Sequence, residues 1–352
     1  MLIDAKKFSK ALAMVKKVAS AGFGPQCGKI RLRGDRLEAA SFGVSISLSL
    51  ETEADFDCVL PVDTLVGVVK GLKGELSLAQ EKGSILLECG KHRSNIATEK
   101  LSDWRMVPAG DGEEAVPENL DKALACCLSV IAKSEIRSHF NGVSLHENGT
   151  QLVASDGFRV VRYTLETGLP VNDVILPKAF VEVVSKLDSI SSLSYTPESL
   201  SVLSRSETIS APTIVGCTFV DAVFPKEWLQ FFPTEDRGQW VTLNMAGGMT
   251  DCLKRMTLYE TADLYFPGVD FKLEGGALFC NYKGKRTIAE EEIAIDPPYT
   301  GLPWEWSTYP SYLLSALMLS QGRFTIRRSP DLVCAKSETD PVEVLVSVTA
   351  NG

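Results

Sequence analysis

The chain of 352 residues lacks the features of a membrane, secreted or disulfide-linked protein. No segment approaches the ~20 consecutive apolar residues that a helix needs to cross a bilayer. The first residues have no apolar core behind a basic start, so no signal peptide is expected and the predicted location is the cytoplasm. The nine cysteines form no C-x-x-C pair, and their odd number argues against a full disulfide framework. Most of them lie in apolar patterns, which predicts small core residues.

Catalytic and metal-binding patterns are equally scarce. The chain has three histidines, His92, His139 and His146, and none has a partner at metal-ligand spacing. The run Ser155-Asp156-Gly157 lacks a G-x-S-x-G elbow and is more typical of a tight turn. No Walker-type phosphate loop is present. We therefore predict a protein that is not an enzyme and that holds no metal ion or cofactor.

What the sequence does contain is an internal repeat with a spacing of about 115 residues. Three pairs of segments align, namely 34–41 with 149–156, 65–72 with 180–187, and 10–13 with 122–125. The last third of the chain aligns more weakly, which indicates a third, diverged copy. Solenoid repeats run roughly 20–50 residues, so a period this long indicates tandem domains.

Within each copy the hydrophobic pattern alternates a helix with several strands. Phe8, Leu12 and Val15 recur at helical spacing, and the alternation over 29–33 and 45–50 is typical of half-buried strands. A second helix restarts the cycle. Segments rich in proline, glycine and acidic residues mark the boundaries. We therefore predict an α+β fold of three similar domains, each of two helix-plus-strands halves, at residues 1–115, 116–233 and 234–352.

Positive charge concentrates on the predicted helices, although the chain has a net charge of −9. The predicted helices together carry +11 and the remainder −20; they are 6–19, 64–73, 122–137, 178–187, 250–260 and 310–323. In the first of them Lys6, Lys10 and Lys17 share one stripe opposite the apolar stripe. For a single lysine-rich helix a solvated face is the simpler explanation, yet a solvated face usually mixes signs. The segregation therefore predicts one basic surface that meets a polyanion.

One group of motifs resembles a known protein family. The motifs are Phe140-Asn141-Gly142-Val143, Ala154-Ser155-Asp156-Gly157-Phe158-Arg159, Ile175-Leu176-Pro177-Lys178, Phe224-Pro225 and Phe232-Pro233. Their order and spacing resemble the middle domain of the bacterial DNA polymerase III β subunit, the sliding clamp. The resemblance implies a head-to-tail homodimer closed into a ring, with helices lining a channel around duplex DNA and sheets outside. It implies as partners double-stranded DNA without sequence preference, a DNA polymerase, a clamp loader and a second copy of the chain.

The resemblance also implies three sets of site residues. The predicted DNA-facing residues are Lys6, Lys10, Lys17, Lys70, Lys73, Lys122, Lys133, Arg137, Lys178, Lys186, Lys254 and Arg255. The implied pocket for partner peptides contains Phe140, Ser155, Gly157, Phe158, Arg159, Val160, Pro225, Gln230, Phe231 and Tyr312. The implied dimer interface sets Ile96 of one copy against Leu258 and Tyr259 of the other.

Four departures from the family pattern bear on these expectations. Phe158 stands where the family usually has histidine, Gln230 where it has arginine, and Ser94 where it has a large apolar residue. The last residues, 345–352, lack the family's Met/Pro-rich ending. The partner motif is therefore expected to differ from the standard one. The alternative function is a multidomain interaction scaffold that does not encircle DNA, which should show no basic charge specific to its helices.

Overall fold

The computed structural model confirms an α+β fold. It describes residues 1–22, 24–50, 52, 54–100, 103–132, 137–205, 212–232, 240–244, 248–262, 268–284, 287–295, 298, 300–319, 323–328, 332–337 and 341–347. The helices are α1 (Ala5–Ala19), α2 (Val62–Val69), α3 (Leu120–Leu128), α4 (Lys178–Val184), α5 (Gly248–Ala262) and α6 (Pro310–Leu319). Short 3₁₀ segments span Ser138–Phe140 and Lys226–Phe231. Within the described ranges no helix is both long and apolar enough to cross a membrane.

The strands are numbered in chain order. The strands that precede residue 150 are β1 (Leu2–Asp4), β2 (Lys29–Arg33), β3 (Arg36–Ser41), β4 (Val44–Ser49), β5 (Asp57–Pro61), β6 (Glu75–Glu81), β7 (Ser84–Cys89), β8 (His92–Ala97) and β9 (Gly142–His146). They are followed by β10 (Gln151–Ser155), β11 (Arg159–Thr164), β12 (Ile175–Pro177), β13 (Ile190–Thr196), β14 (Ser199–Arg205), β15 (Pro212–Thr218) and β16 (Trp240–Asn244). The last are β17 (Val269–Glu274), β18 (Ala277–Lys283), β19 (Ile288–Ala294), β20 (Trp304–Thr308), β21 (Arg323–Arg328), β22 (Leu332–Ser337) and β23 (Val342–Ser347).

Contacts divide the chain into two compact units. The first unit comprises Met1–Leu128, Asn141–Thr150 and Glu166–Val223. The second comprises Ser129–Phe140, Gln151–Leu165 and Phe224–Gly352. The three domains at 1–115, 116–233 and 234–352 stay a prediction.

The first unit is built on a seven-stranded antiparallel sheet in the order β13-β14-β15-β4-β3-β2-β5. Its central pairing joins β15 to β4, with Thr213 opposite Leu48 and Cys217 opposite Val44. Strands from the first and second sequence repeats therefore form one sheet, which leaves neither strand with an exposed edge at that boundary. A four-stranded sheet, β1-β6-β7-β8, and the antiparallel pair β12-β9 complete the strands of this unit.

Helix α1 shows how the sequence produces the core of the first unit. The Asp4 side chain caps the helix by accepting the Lys7 backbone N–H at 2.9 Å. Its apolar stripe, which includes Phe8, Leu12 and Val15, is fully buried and packs on β3 and β4. Since this stripe recurs at the 3.6-residue period, the opposite face remains at the surface.

The second unit contains the strand series β10-β11-β23-β22-β21-β16 and the four-stranded sheet β19-β18-β17-β20. Strand β11 pairs with β23, which sets Val160 opposite Leu345. Helices α5 and α6 pack on each other, α5 against β19 and α6 against β22 and β23. Phe271 and Trp306 stack in the core at 5.4 Å between ring centroids.

Four predicted helices end earlier in the structure, which lowers the positive charge that the helices carry. Helix α2 ends at Val69, because Lys70 leaves the helical region and Gly71 has φ +87°. Helices α3, α4 and α6 end at Leu128, Val184 and Leu319, before the predicted 137, 187 and 323. Inside the observed bounds α1 carries five lysines and no acid, α2 carries one aspartate, and the charges of the other four cancel or are absent. The helices therefore carry +4 and not +11, leaving −13 for the remainder.

Candidate functional site: a basic helix face and an aromatic pocket

The exposed face of α1 is the most basic surface that a helix provides in the described chain. Lys6, Lys7 and Lys10 are exposed, and Lys17 is half-buried. The Lys16 ammonium lies 2.6 Å from Asp63 of α2. Since Lys16 is neutralised in this way, the remaining charge of α1 lies on Lys6, Lys7, Lys10 and Lys17, three of which form the predicted stripe.

Two of the predicted residues, Lys17 and Lys186, meet where α1 packs on α4. Burial, reinforced by the neighbouring Lys186 ammonium, lowers the pKa of Lys17 to about 8, while Glu182 opposes the shift. Two like charges in contact are unfavourable without a counter-charge. This pair is therefore a place where an anion would be stabilised.

The remaining predicted cations are more dispersed. Lys70 and Lys73 are exposed beyond the end of α2, a position that the helix dipole also favours for a cation. Lys122 is exposed on α3, and Lys178 is half-buried at the start of α4. Lys133 lies outside the described residues.

In the second unit the predicted cations are largely neutralised. Lys254 lies 3.6 Å from Asp251, and Arg255 donates from Nε to Glu291 at 2.8 Å. Arg137 precedes the 3₁₀ turn Ser138–Phe140 and does not belong to α3 as predicted. A Cβ placed on Gly157 would lie 2.9 Å from a guanidinium nitrogen of Arg137. Arg137 therefore lies beside the Ser155–Arg159 turn. The helix that was predicted to carry it, α3, ends at Leu128.

The Ser155–Arg159 motif forms the predicted tight turn between β10 and β11. The Ser155 hydroxyl accepts the Gly157 N–H at 3.0 Å and donates to the Arg159 carbonyl at 2.8 Å. The Asp156 carboxylate accepts the backbone N–H groups of Phe158 and Arg159 at 3.0 and 2.8 Å. Gly157 has φ +91°, which favours glycine at that position. These polar groups fix the turn and explain the residue types without any catalytic chemistry.

An aromatic shelf projects from this turn. Phe158 is 54% exposed and stacks on Tyr312 of α6, with ring centroids 6.0 Å apart and an interplanar angle of 23°. The Arg159 guanidinium lies 4.7 Å from the centroid of the Tyr312 ring and is held by Asp156 at 2.7 Å. Burial, with the Asp156 charge, raises the pKa of the Tyr312 hydroxyl. We call Phe158 and Tyr312 the aromatic shelf.

Three other predicted pocket residues are buried and are not part of the aromatic shelf. Phe140, Ser155 and Val160 are buried, so their side chains shape the pocket without offering surface to a ligand. Phe140 makes edge-to-face contacts with Phe224 at 6.0 Å and with Trp228 at 5.9 Å. Trp228 was missed by the sequence analysis, although its place between the two Phe-Pro pairs was a usable signal.

The segment that follows Phe224 supplies the rest of the predicted pocket. Pro225 is half-buried and precedes the 3₁₀ segment Lys226–Phe231, in which Gln230 is exposed. The side chain of Phe231 lies outside the part of the structure that is described. The second unit thus contains the pocket residues together, since the motif turn, α6 and this segment all belong to it.

The predicted interface residues fall into two classes. Leu258 is 67% exposed on α5, as a contact residue should be, and Tyr259 stacks on Tyr282 at 4.9 Å. Ile96 is only 4% exposed, because its side chain points into the core of the first unit from β8. The Ile96 side chain therefore offers little surface to a second copy, and the interface of Ile96 with Leu258 and Tyr259 stays a prediction. Its strand, β8, is the last strand of its sheet among the described residues.

Within the described residues no group of three or more histidine, cysteine, aspartate or glutamate side chains is arranged to hold a metal ion.

Comparison with known proteins identifies the fold. No protein-family model matches the chain, and no curated protein matches it. Solved structures match along its whole length. They include the DNA polymerase III subunit beta from Pseudomonas aeruginosa (19% identity, TM-score 0.79), Caulobacter crescentus pol III beta (20%, 0.77) and the beta subunit from DNA polymerase of Streptococcus pyogenes (17%, 0.79). Each match covers 99% of this chain and 99% of the other. The chain therefore has the fold of DNA polymerase sliding clamps, which confirms the predicted fold class.

Proposed function

We propose that this protein is a sliding clamp, a homodimeric ring that encircles duplex DNA in the cytoplasm and tethers a DNA polymerase through the aromatic pocket. The observation that carries the proposal is the full-length match to DNA polymerase sliding clamps, 99% of each chain, combined with the intact Ser155–Arg159 turn. Topology would then hold the protein on DNA, so no catalytic group is needed. A separate clamp loader would open the ring.

The face of α1 supports the DNA part of this proposal. Lys6, Lys10, Lys17 and Lys186 can neutralise phosphates without reading bases, which permits movement along DNA. The overall charge of −9 repels DNA from other surfaces and directs it to the basic one. The proposed channel is therefore assigned to the face of the first unit that carries α1 and α4.

The unpaired edges of two strands support ring closure. Strand β8 carries the exposed Arg93 and follows the exposed Lys91, whereas the exposed side chains of β19 include Glu290 and Glu292. Both strands end their sheets in the described structure. We propose that β8 of one copy pairs with β19 of another, so that opposite charges meet and the edges are covered. Leu258 on α5, which packs against β19, would lie at this contact.

Retention on circular DNA tests the proposed function. After loading with the cognate clamp loader, the protein should co-elute with nicked circular duplex and be released when the circle is cut. A scaffold that does not encircle DNA would be retained equally on circular and linear DNA. Equal retention on both forms, or no retention on circles by a protein that sediments as a dimer, would contradict the ring.

The variant Leu258→Lys should produce folded monomers that are lost from circular DNA. A head-to-tail ring of two copies contains the contact twice, so one altered patch disrupts both interfaces. Leu302→Lys makes the same change at a leucine that is 81% exposed just before β20, the strand at the other end of the sheet from β19, and should remain dimeric. Sedimentation velocity measures the result, and an intact Leu258→Lys dimer would move the interface elsewhere.

The pH dependence of DNA affinity should report on Lys17. Its pKa of about 8 lies below the usual value, and a bound phosphate would raise it again. The DNA affinity supplied by Lys17 is therefore present below pH 8 and is lost as the pH rises. If phosphate restores the usual pKa of Lys17, the DNA affinity should be about tenfold lower at pH 9 than at pH 7.

In Lys17→Arg, which stays charged, that loss should disappear. The matched variant Lys10→Arg should keep the wild-type pH profile. Fluorescence anisotropy on a short duplex from pH 7 to 9 makes the comparison. Indistinguishable profiles for wild type and Lys17→Arg would separate Lys17 from the DNA contact.

One observation favours the scaffold as a second candidate. Outside α1, the helices have no net positive charge within their observed bounds. A scaffold of the same fold would bind partner peptides at the aromatic shelf but would show no salt-dependent DNA binding.

A further inference from the structure

Two lysine side chains, Lys17 and Lys186, lie within hydrogen-bonding reach of each other in the first unit. Lys17 belongs to the last turn of α1. Lys186 follows the end of α4, in a turn closed by its backbone N–H, which donates to the Val183 carbonyl at 3.1 Å. Helix α1 packs on β4 and α4 packs on β15, and these two strands are hydrogen-bonded neighbours. The sheet therefore fixes the two amines against each other.

A hydrogen bond between two lysines requires that one of them is neutral. An ammonium group has three donors and no acceptor, whereas a neutral amine offers a lone pair. Lys17 is half-buried and Lys186 is exposed, so the loss of solvent falls on Lys17. Burial and the neighbouring Lys186 accordingly lower the pKa of Lys17 to about 8. Lys17 is therefore the amine that supplies the lone pair.

The nearby carboxylates do not cancel this effect. Glu182 of α4 opposes the shift in the pKa of Lys17, which is lowered nevertheless. Asp63, the acid of α2, is engaged by Lys16 at 2.6 Å. Within the described residues Lys17 makes no ion pair. A desolvated lysine beside a second cation is the arrangement that activates an amine as a nucleophile.

We propose that Lys17 is a site of acylation by anionic acyl donors, the class to which acyl phosphates belong. The neutral Nζ attacks the carbonyl carbon, so that the N–C bond forms and the C–O bond to phosphate breaks. The departing phosphate takes the proton that the nitrogen loses, and no further reactant is needed. The Lys186 ammonium holds the phosphate end of the donor, because it is the exposed cation beside the nucleophile.

Acylation removes a positive charge from α1. An acylated lysine is neutral, so Lys17 could no longer neutralise a phosphate of DNA. This consequence rests on the proposed function, whereas the acylation itself does not. Bound duplex should in turn protect Lys17, because a phosphate beside the amine favours its protonated form. Acylation therefore selects molecules whose α1 face is free of DNA.

Peptide mass spectrometry on the full-length protein, treated with isotopically labelled acetyl phosphate, tests the proposal. With a pKa of about 8, roughly a tenth of Lys17 is neutral at pH 7, against on the order of one in a thousand for an ordinary lysine. A less basic amine is a weaker nucleophile, as thiolates also show, which offsets part of this gain. Lys17 should therefore be acetylated about tenfold faster than the exposed Lys10.

Variants of Lys186 distinguish this pair from an isolated lysine. Lys186→Gln removes the neighbouring cation and should slow acetylation of Lys17 by about threefold or more. Lys186→Arg keeps a cation that can donate to the neutral amine and should retain most of the rate. The exposed Lys82→Gln should react as wild type does, and circular dichroism establishes that the variants are folded. Equal acetylation of Lys17 and Lys10, or equal Lys17 rates in wild type and Lys186→Gln, would overturn the proposal.

A short duplex separates the acylation site from its consequence for DNA. If α1 faces DNA, the duplex should slow acetylation of Lys17. Lys17→Gln, which resembles the acetylated side chain, should then lower the slope of log affinity against log salt by ~0.9. Fast acetylation of Lys17 without either effect would uphold the acylation site and remove Lys17 from the proposed DNA contact.

Discussion

Replacing Lys6, Lys10 and Lys17 together by glutamate is expected to abolish polymerase stimulation on primed circular DNA. The change reverses the charge of the stripe on α1, the one helix with a large net positive charge in its described bounds. Each lost phosphate contact should lower the slope of log affinity against log salt by ~0.9, hence by ~2.7 for the three. Single substitutions should be mild, because the remaining cations still hold the phosphates.

The control for this variant is a second triple substitution with the same charge change. Lys82, Lys100 and Lys283 are exposed and lie outside the helices, so their replacement by glutamate should leave the salt slope intact. DNA affinity is measured across a salt series, and processivity by product length. Full processivity and an unchanged slope in the α1 variant would remove this helix from the proposed channel.

The sequence predicted α1 well because its signals agree at every level. The helix spans Ala5–Ala19, and the prediction was 6–19. Its apolar stripe is uninterrupted, and Asp4 caps its first turn. The ends of later helices were not predictable from periodicity, because apolar residues continue past them. At α2 the positive φ of Gly71 and Gly74 stops the helix while Leu72 maintains the apolar pattern.

The unpredicted end of α3 also changed the position of one predicted DNA-facing residue, Arg137. The apolar pattern after Lys122 continues through Val130 and Ile131, so a helix up to 137 was expected, although α3 ends at Leu128. Arg137 consequently adjoins Gly157 and not a row of helix cations. A one-dimensional pattern cannot show this, because the position of Arg137 depends on a turn that tertiary contacts determine.

The local structure of the predicted pocket residues follows from sequence where they are contiguous, and less so where burial decides their role. The Ser155–Arg159 turn follows from local hydrogen bonds that its residue types specify. Whether Phe140 or Phe158 faces solvent does not follow from sequence, since both are aromatic residues beside glycine or a loop. The burial of Glu38, which is 8% exposed, was missed for the same reason. Alternation predicts an exposed polar face there, but the segment at Val107, which donates its N–H to Ser45 at 3.0 Å, covers part of that face.

Replacing Tyr312 by alanine is expected to weaken the binding of the cognate polymerase's tail peptide by a factor of roughly thirty. An apolar anchor in a desolvated pocket contributes ~2 kcal/mol or more, and ~1.4 kcal/mol corresponds to tenfold. Tyr312 meets both Phe158 and the Arg159 guanidinium, so its loss removes one member of the aromatic shelf and leaves the other unsupported. Phe158→Ala should have a smaller effect in the same direction.

The choice of variant decides whether this measurement is informative. Phe140 is 3% exposed among Phe224 and Trp228, so Phe140→Ala would leave a core cavity and cost ~3–5 kcal/mol of stability. Phe158 is exposed and can be truncated without such a cavity. Phe42→Ala, at a residue that is 75% exposed in the first unit, is the matched aromatic control and should bind the peptide normally.

A labelled peptide is titrated against wild type, Tyr312→Ala, Phe158→Ala, Phe42→Ala and Phe158→His, with sedimentation and melting as controls. Dimerisation and the salt slope for DNA should survive in every variant, because neither uses the shelf. Phe158→His restores the residue that the sliding-clamp family usually carries and should shift the preference toward peptides that bind such clamps. If wild type, Tyr312→Ala and Phe158→Ala bind the peptide equally, partners dock elsewhere. The stacked Phe158 and Tyr312 would then serve only to hold the turn against α6.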